Sequence, residues 1–238
     1  MAERGDRFVQ VSVSDGTRMR VYVSRPEAGG PHPGVMVFQE AYGVNAHIRD
    51  VVDRFASLGY NAVAPELYHR TGEGFDGSYG DFEATRPHFS AINNRDLEAD
   101  IRATHQWLMH DASTDGTRLF SVGFCIGGRV SFTANSIVPL RAAASFYGGG
   151  IAPSNLDRVS RMGSPMLFFW GGLDKRIGPE IIAQITAAFR VEGKPYVNVE
   201  FADADHGFFC DARASYNEKA AHQAFALLQA FYKEHGGI

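Results

Sequence analysis

Three residues in one order could carry acyl-transfer chemistry: a cysteine, then an aspartate, then a histidine. Cys125 lies in Gly123-Phe124-Cys125-Ile126-Gly127-Gly128, after the apolar run Leu119-Phe120-Ser121-Val122 and before a segment that reads as a helix. A residue on a tight strand-to-helix turn stands exposed above a sheet, and glycines two positions to either side let the backbone pass closely. Here a thiol occupies the place where a serine hydroxyl is more usual. Asp174 follows in Trp170-Gly171-Gly172-Leu173-Asp174, and His206 in Ala204-Asp205-His206-Gly207. A thiol nucleophile needs a base, a carboxylate that orients the base, and donors for the oxyanion. Singly, each residue has a plain structural explanation: a buried structural cysteine, a loop carboxylate, a loop histidine. Together they stand in the order nucleophile, acid, histidine, each just beyond an expected strand, where open α/β sheets bind ligands.

The elements that must position them alternate along the chain. Phe8 to Val13 and Arg18 to Ser24 flank Asp15-Gly16 and read as an N-terminal β-hairpin. Val35 to Phe38, Asn61 to Ala64, Leu119 to Gly123, Ala142 to Tyr147, Met166 to Trp170 and Val197 to Phe201 are short apolar runs, as expected of strands covered on both faces. Between them lie amphipathic segments. Ile48, Val51, Val52, Phe55 and Leu58 recur at helical spacing, as do Leu97, Ile101 and Leu108 behind a cap at Asn94. Pro179 to Val191 and a patterned stretch from Ala221 to Tyr232 complete the set. Repeated βα units imply a mostly parallel central sheet with helices on both faces. Residues 66–93 show no periodicity and read as a long lid-like loop. The whole of 1–238 is expected to be a single α/β domain, with residues 1–6 flexible.

Composition narrows the function classes. Hydrophobic residues make up 45% and charged residues 21%, which suits a water-soluble globular protein. A formal net charge of −4 gives no electrostatic case for nucleic acid or an anionic membrane. No apolar run approaches the roughly 20 residues that span a bilayer, and the polar start Met1 to Asp6 has no signal core. Two cysteines do not make a disulfide scaffold and fit a reducing, cytoplasmic setting. Monomer and homo-oligomer both remain open.

With these motifs in view, the sequence resembles the dienelactone hydrolase (carboxymethylenebutenolidase) family of the α/β-hydrolase fold. The resemblance rests on Gln39-Glu40-Ala41-Tyr42-Gly43-Val44-Asn45, on Gly59 to Tyr68, on the elbow around Cys125, and on Phe146-Tyr147-Gly148, Gly171 to Asp174 and His206-Gly207-Phe208. It covers the chain from about Pro33 onward. It implies hydrolysis of a small ester or lactone through a Cys125–His206–Asp174 triad and a thioester, with no cofactor and no metal. It further implies that Glu40 helps take the thiol proton, and that the Ala41 and Ile126 amides form the oxyanion hole. A pocket containing Tyr147 and Phe208 is also expected.

Family members of the chlorocatechol type hold a substrate carboxylate with arginines. One of those positions is Cys210 here, and the other falls in the poorly aligning 66–93 stretch, which leaves Arg70 and Arg86 as candidates. Gly207 stands where those enzymes carry a serine. A cluster of Asp203, Asp205, His206 and Cys210 has poor spacing for a tetrahedral metal site, so Cys210 reads as a small loop hydrophobe. Two other functions compete with this one. A non-catalytic α/β-hydrolase-fold protein that binds a small carbonyl ligand would be favoured by loss of a triad member, and none is lost. A thiol redox protein would want a C-x-x-C motif, which is missing.

Overall fold

In the computed structural model, which describes residues 7–238, eight strands pair into one sheet in the order β1-β2-β4-β3-β5-β6-β7-β8. The strands are β1 (Phe8–Ser12), β2 (Arg18–Ser24), β3 (His32–Phe38), β4 (Asn61–Pro65), β5 (Thr114–Phe124), β6 (Ala142–Phe146), β7 (Met166–Gly171) and β8 (Tyr196–Phe201). The hairpin expected at the N-terminus forms, with Phe8 opposite Tyr22 and Ser12 opposite Arg18. β2 also runs antiparallel to β4, and from β4 through β8 every pairing is parallel. The flexibility expected for residues 1–6 lies outside the described residues.

Why these runs make strands is visible in β3. Val35 and Val37 belong to one buried cluster, and Met36 and Phe38 to the other. A strand with period-two alternation and apolar residues on both sides needs cover on both faces. The helices supply it. α1 (Ala46–Ser57) and α6 (Glu218–Glu234) pack Ile48, Val51, Val52, Phe55, Ala224, Leu228 and Tyr232 into the larger cluster. α3 (Asn94–His110) contributes Leu97, Ile101 and Leu108 to the smaller one, joined by Val130 and Ala134 of α4 (Ile126–Ile137). α5 (Pro179–Val191) follows β7 and begins with proline at its first turn, where the missing N–H costs nothing. α1, α3 and α6 start on asparagine caps, Asn45, Asn93 and Asn217, whose side chains accept first-turn amides. The cap of α3 is thus Asn93, one residue before the expected Asn94.

The stretch 66–93 is not structureless. It holds α2 (Phe82–Ala91), capped by the Asp81 side chain accepting from the Ala84 amide. Two shorter features were also not expected: a 3-10 helix at Leu156–Arg161, and a cis peptide bond between Ala152 and Pro153.

Candidate active site

At the end of β5 the backbone turns sharply. Cys125 has φ 55° and ψ −118°, a left-handed conformation that a residue with a side chain rarely adopts. The Cys125 amide donates to Phe146 O at 3.0 Å and its carbonyl accepts from Gly128 N at 3.0 Å, so both sides of the turn are tied down. The flanking glycines are a steric requirement. A Cβ on Gly123 would fall 1.8 Å from Gly127 O, and one on Gly127 would fall 2.2 Å from Phe38 O. The strand, turn and helix therefore pass closer than any other residue permits. The thiol is held at the head of α4, half-exposed, beside helix amides that have no intrahelical acceptor. The Ile126 amide is among these.

His206 comes from the loop after β8 and Asp174 from the loop after β7. His206 Nδ1 lies 2.7 Å from Asp174 Oδ2, and both side chains are buried. The other carboxylate oxygen of Asp174 accepts the Arg176 amide at 2.8 Å, which fixes the orientation of the acid. Burial alone would lower the His206 pKa. The hydrogen bond to Asp174 and the Cys125 sulfur outweigh it and raise the pKa to about 9. Burial works against the Asp174 carboxylate, but its bonds to His206 and to loop amides bring its pKa below the ordinary value. His206 Nε2 is buried and has no hydrogen-bond partner, and Cys125 is the neighbour that acts on it.

Glu40 stands just beyond β3 with a fully buried side chain. One of its oxygens accepts from Arg213 Nη1 at 3.2 Å and the other has no partner. Tyr147 is fully buried at the end of β6, at φ 38°. Its ring centroid is 5.1 Å from that of His206, and its hydroxyl is unpartnered. Burial, reinforced by Glu40, pushes its pKa well up, so the phenol stays protonated. Phe208 is fully buried and packs edge-on against Tyr147 at 5.4 Å, which places it behind the tyrosine in the core. The Ala41 carbonyl is pinned by the Tyr68 hydroxyl at 2.8 Å.

Two expected substrate arginines are held elsewhere. Arg70 donates to Asp100 from both terminal nitrogens, at 2.8 and 2.9 Å, and to Asp15 from Nε at 2.8 Å. Arg86 pairs with Glu83 within α2, exposed on the surface. The arginine that the structure does bring beside the histidine is Arg213, seven positions after His206 and in no expected motif. A cleft of about 620 Å³ is lined by Asp174, Lys175, Arg176, His206, Arg213 and Tyr79. Tyr79 arrives from the 66–93 stretch, its ring edge-on to Tyr42 at 4.7 Å, with the Arg213 guanidinium 5.6 Å from its centroid. Residue type alone could have flagged Arg213, as the arginine following His206 most directly in the chain, but its carboxylate partner lies 173 residues away. Arg129, one helical turn after Cys125, was also missed. Its Nε is buried without an acceptor, and its charge acts on the thiol.

The sheet order, the elbow after β5 and the acid and histidine loops after β7 and β8 define an α/β-hydrolase fold. Comparison with known proteins narrows this. The family model of the "Dienelactone hydrolase family" matches residues 19–236. A Synechocystis protein named "Putative carboxymethylenebutenolidase" is 34% identical over 224 residues, covering 89% of this chain and 90% of that protein. A crystal structure titled "Putative Dienelactone Hydrolase" from Klebsiella pneumoniae superposes with a TM-score of 0.86 at 32% identity, covering 95% of this chain and 98% of that one. A metagenomic structure titled a dienelactone hydrolase-like promiscuous phosphotriesterase shares the fold at TM-score 0.83 and 24% identity. The chain belongs to the dienelactone hydrolase family. Among the described residues no helix is long and apolar enough to cross a membrane.

Proposed function

We propose that the protein hydrolyses a small ester or lactone through a thioester on Cys125. The observation that carries this reading is the strained thiol at the head of α4, facing a histidine whose other nitrogen is held 2.7 Å from a buried aspartate. The Cys125 thiolate attacks the carbonyl carbon, and the carbonyl oxygen gathers charge against the Ile126 and Ala41 amides. As the intermediate collapses, the alkoxide leaves with a proton from His206, and Cys125 keeps the acyl group. Water then gives its proton to His206 and attacks the thioester, releasing the acid and restoring the thiol.

Glu40 fits the first proton transfer in this scheme. A carboxylate with one free oxygen, buried near the nucleophile, is a base for the thiol once Arg213 turns to another anion. The cleft supports an anionic substrate. Lys175, Arg176 and Arg213 line it, while its acids are Asp174, already engaged with His206, and Asp205. A carboxylate on the substrate would meet the cations and compete for Arg213.

Rapid quenching during turnover of an activated aryl ester, followed by peptide mass spectrometry, tests the scheme. The acyl mass is expected on the peptide containing Cys125 and absent from Cys125→Ala. An acyl group on another residue, or full turnover by Cys125→Ala, would overturn the assignment.

A further inference from the structure

Outside the triad, a second thiol, an imidazole and a carboxylate converge. His47 projects from the first turn of α1, and Cys210 and Asp211 lie on the loop after His206. Their donor atoms all fall within 4.8 Å of one another. His47 Nδ1 is 3.8 Å from Asp211 Oδ1, too far for a hydrogen bond. It is close to the roughly 3.5 Å that separates nitrogen and oxygen ligands on a tetrahedral zinc with bonds of about 2.0–2.2 Å.

The histidine is the informative member. Its side chain is 2% exposed, and both ring nitrogens are buried with no hydrogen-bond partner. A buried imidazole normally spends at least one nitrogen in a hydrogen bond. Here Phe124 and Phe209 pack around the ring, each at 6.2 Å and edge-on, and fix its orientation without offering a polar contact. Burial lowers the His47 pKa although Glu40 and Asp211 oppose it.

Cys210 is fully buried, and burial together with Glu40 pushes its thiol up to about 11. The charges acting on the cluster favour a cation. Asp211, Glu40 and Asp50 face His47 against Arg54, while Arg213, which acts on Cys210, is already paired with Glu40. Asp211 also lines a surface cavity of about 150 Å³, with Arg54 and His222 among others.

We propose that His47, Cys210 and Asp211 form a site for a divalent transition metal of borderline softness, zinc above all. Binding breaks the Cys210 S–H bond, forms a sulfur–metal bond and releases the proton to solvent. One imidazole nitrogen, one thiolate and one carboxylate oxygen bind directly, and water takes the fourth position. This site is separate from the triad and does not depend on it.

Cobalt(II) titration of the whole protein provides the test, because a thiolate ligand gives cobalt an intense near-ultraviolet charge-transfer band. The protein is expected to show that band, saturating at one cobalt per chain and bleached by added zinc. Cys125→Ser should keep it. Cys210→Ser should abolish it, and Asp211→Asn, at an exposed position that leaves the core intact, should weaken cobalt binding at least about tenfold. No band in the unaltered protein would overturn the proposal. So would a band that survives Cys210→Ser and disappears in Cys125→Ser, which would put the metal on the nucleophile and His206.

Discussion

Two buried acids of this molecule live in opposite circumstances. Asp100 on α3 is 1% exposed and nearly saturated: Arg70 donates to both of its oxygens and His69 Nε2 lies 3.1 Å from one of them. Asp15 on the hairpin turn completes the arrangement by binding the same arginine. Glu40 is as deeply buried but has one partner and one orphaned oxygen. Around it the unpartnered atoms accumulate: His206 Nε2, the Tyr147 and Tyr79 hydroxyls, and both nitrogens of His47. The Asp100 cluster uses hydrogen bonds to clamp the 66–93 stretch to α3 and the hairpin. The Glu40 cluster leaves its hydrogen-bonding capacity unspent. Unmet polar groups in a folded protein are costly, and those named here gather beyond β3, β4, β6 and β8.

That contrast can be broken by substitution. The largest effect is expected at the proposed triad. Asp174→Asn should lower kcat for an aryl ester by about 10⁴-fold, with little change in thermal midpoint beyond the loss of one ion pair. Retained kcat would mean that Asp174 is structural like Asp100. Asp100→Ala is expected to do the reverse. It leaves Arg70 with Asp15 as its close carboxylate and removes the partner of His69, and should cost about 3 kcal/mol in urea unfolding while kcat at low temperature stays within a few-fold. If activity falls instead, the clamp and the site are coupled.

The smallest effect concerns pH. The folded pKa of His206 is raised from 6.5 to about 9. Below the unfolded value the histidine is protonated in both states and its stabilisation is complete. As pH rises toward 9 the folded protein must release a proton that the unfolded chain has already lost, so stability falls across that window. The unfolding midpoint should therefore drop between pH 6.5 and 9 in the unaltered protein, and this part of the drop should vanish in His206→Gln. A drop that persists in the variant would assign it to other groups.

The comparison also explains what could be read from the sequence. Each member of the proposed triad is announced locally, by glycines around a turn or by a short motif after an apolar strand, and the parallel core is written in runs such as Val35 to Phe38. Arg213 and Glu40 meet across 173 residues, and nothing near either one signals the other. Arg70 is a candidate through the resemblance, which puts a carboxylate-binding arginine in the 66–93 stretch, yet its contacts are set by Asp15 and Asp100, which lie on other elements. α2 escaped notice because it buries only Thr85, contains Pro87, and leaves Phe82 and Phe89 exposed, so it has no apolar stripe to detect. The unsatisfied nitrogens of His47 have no sequence signature, since only the packing of Phe124 and Phe209 denies the ring its partners.

The wide spacing of the site residues has a consequence for how the chain folds. Glu40, Cys125, Asp174 and the pair His206 and Arg213 sit on four separate connections, so the loops that close between them are long, and such closures come late and slowly. Secondary structure and much of the sheet can assemble before any two of these groups meet. Recovery of hydrolysis after dilution from denaturant therefore clocks the final docking of the β7 and β8 loops against the elbow.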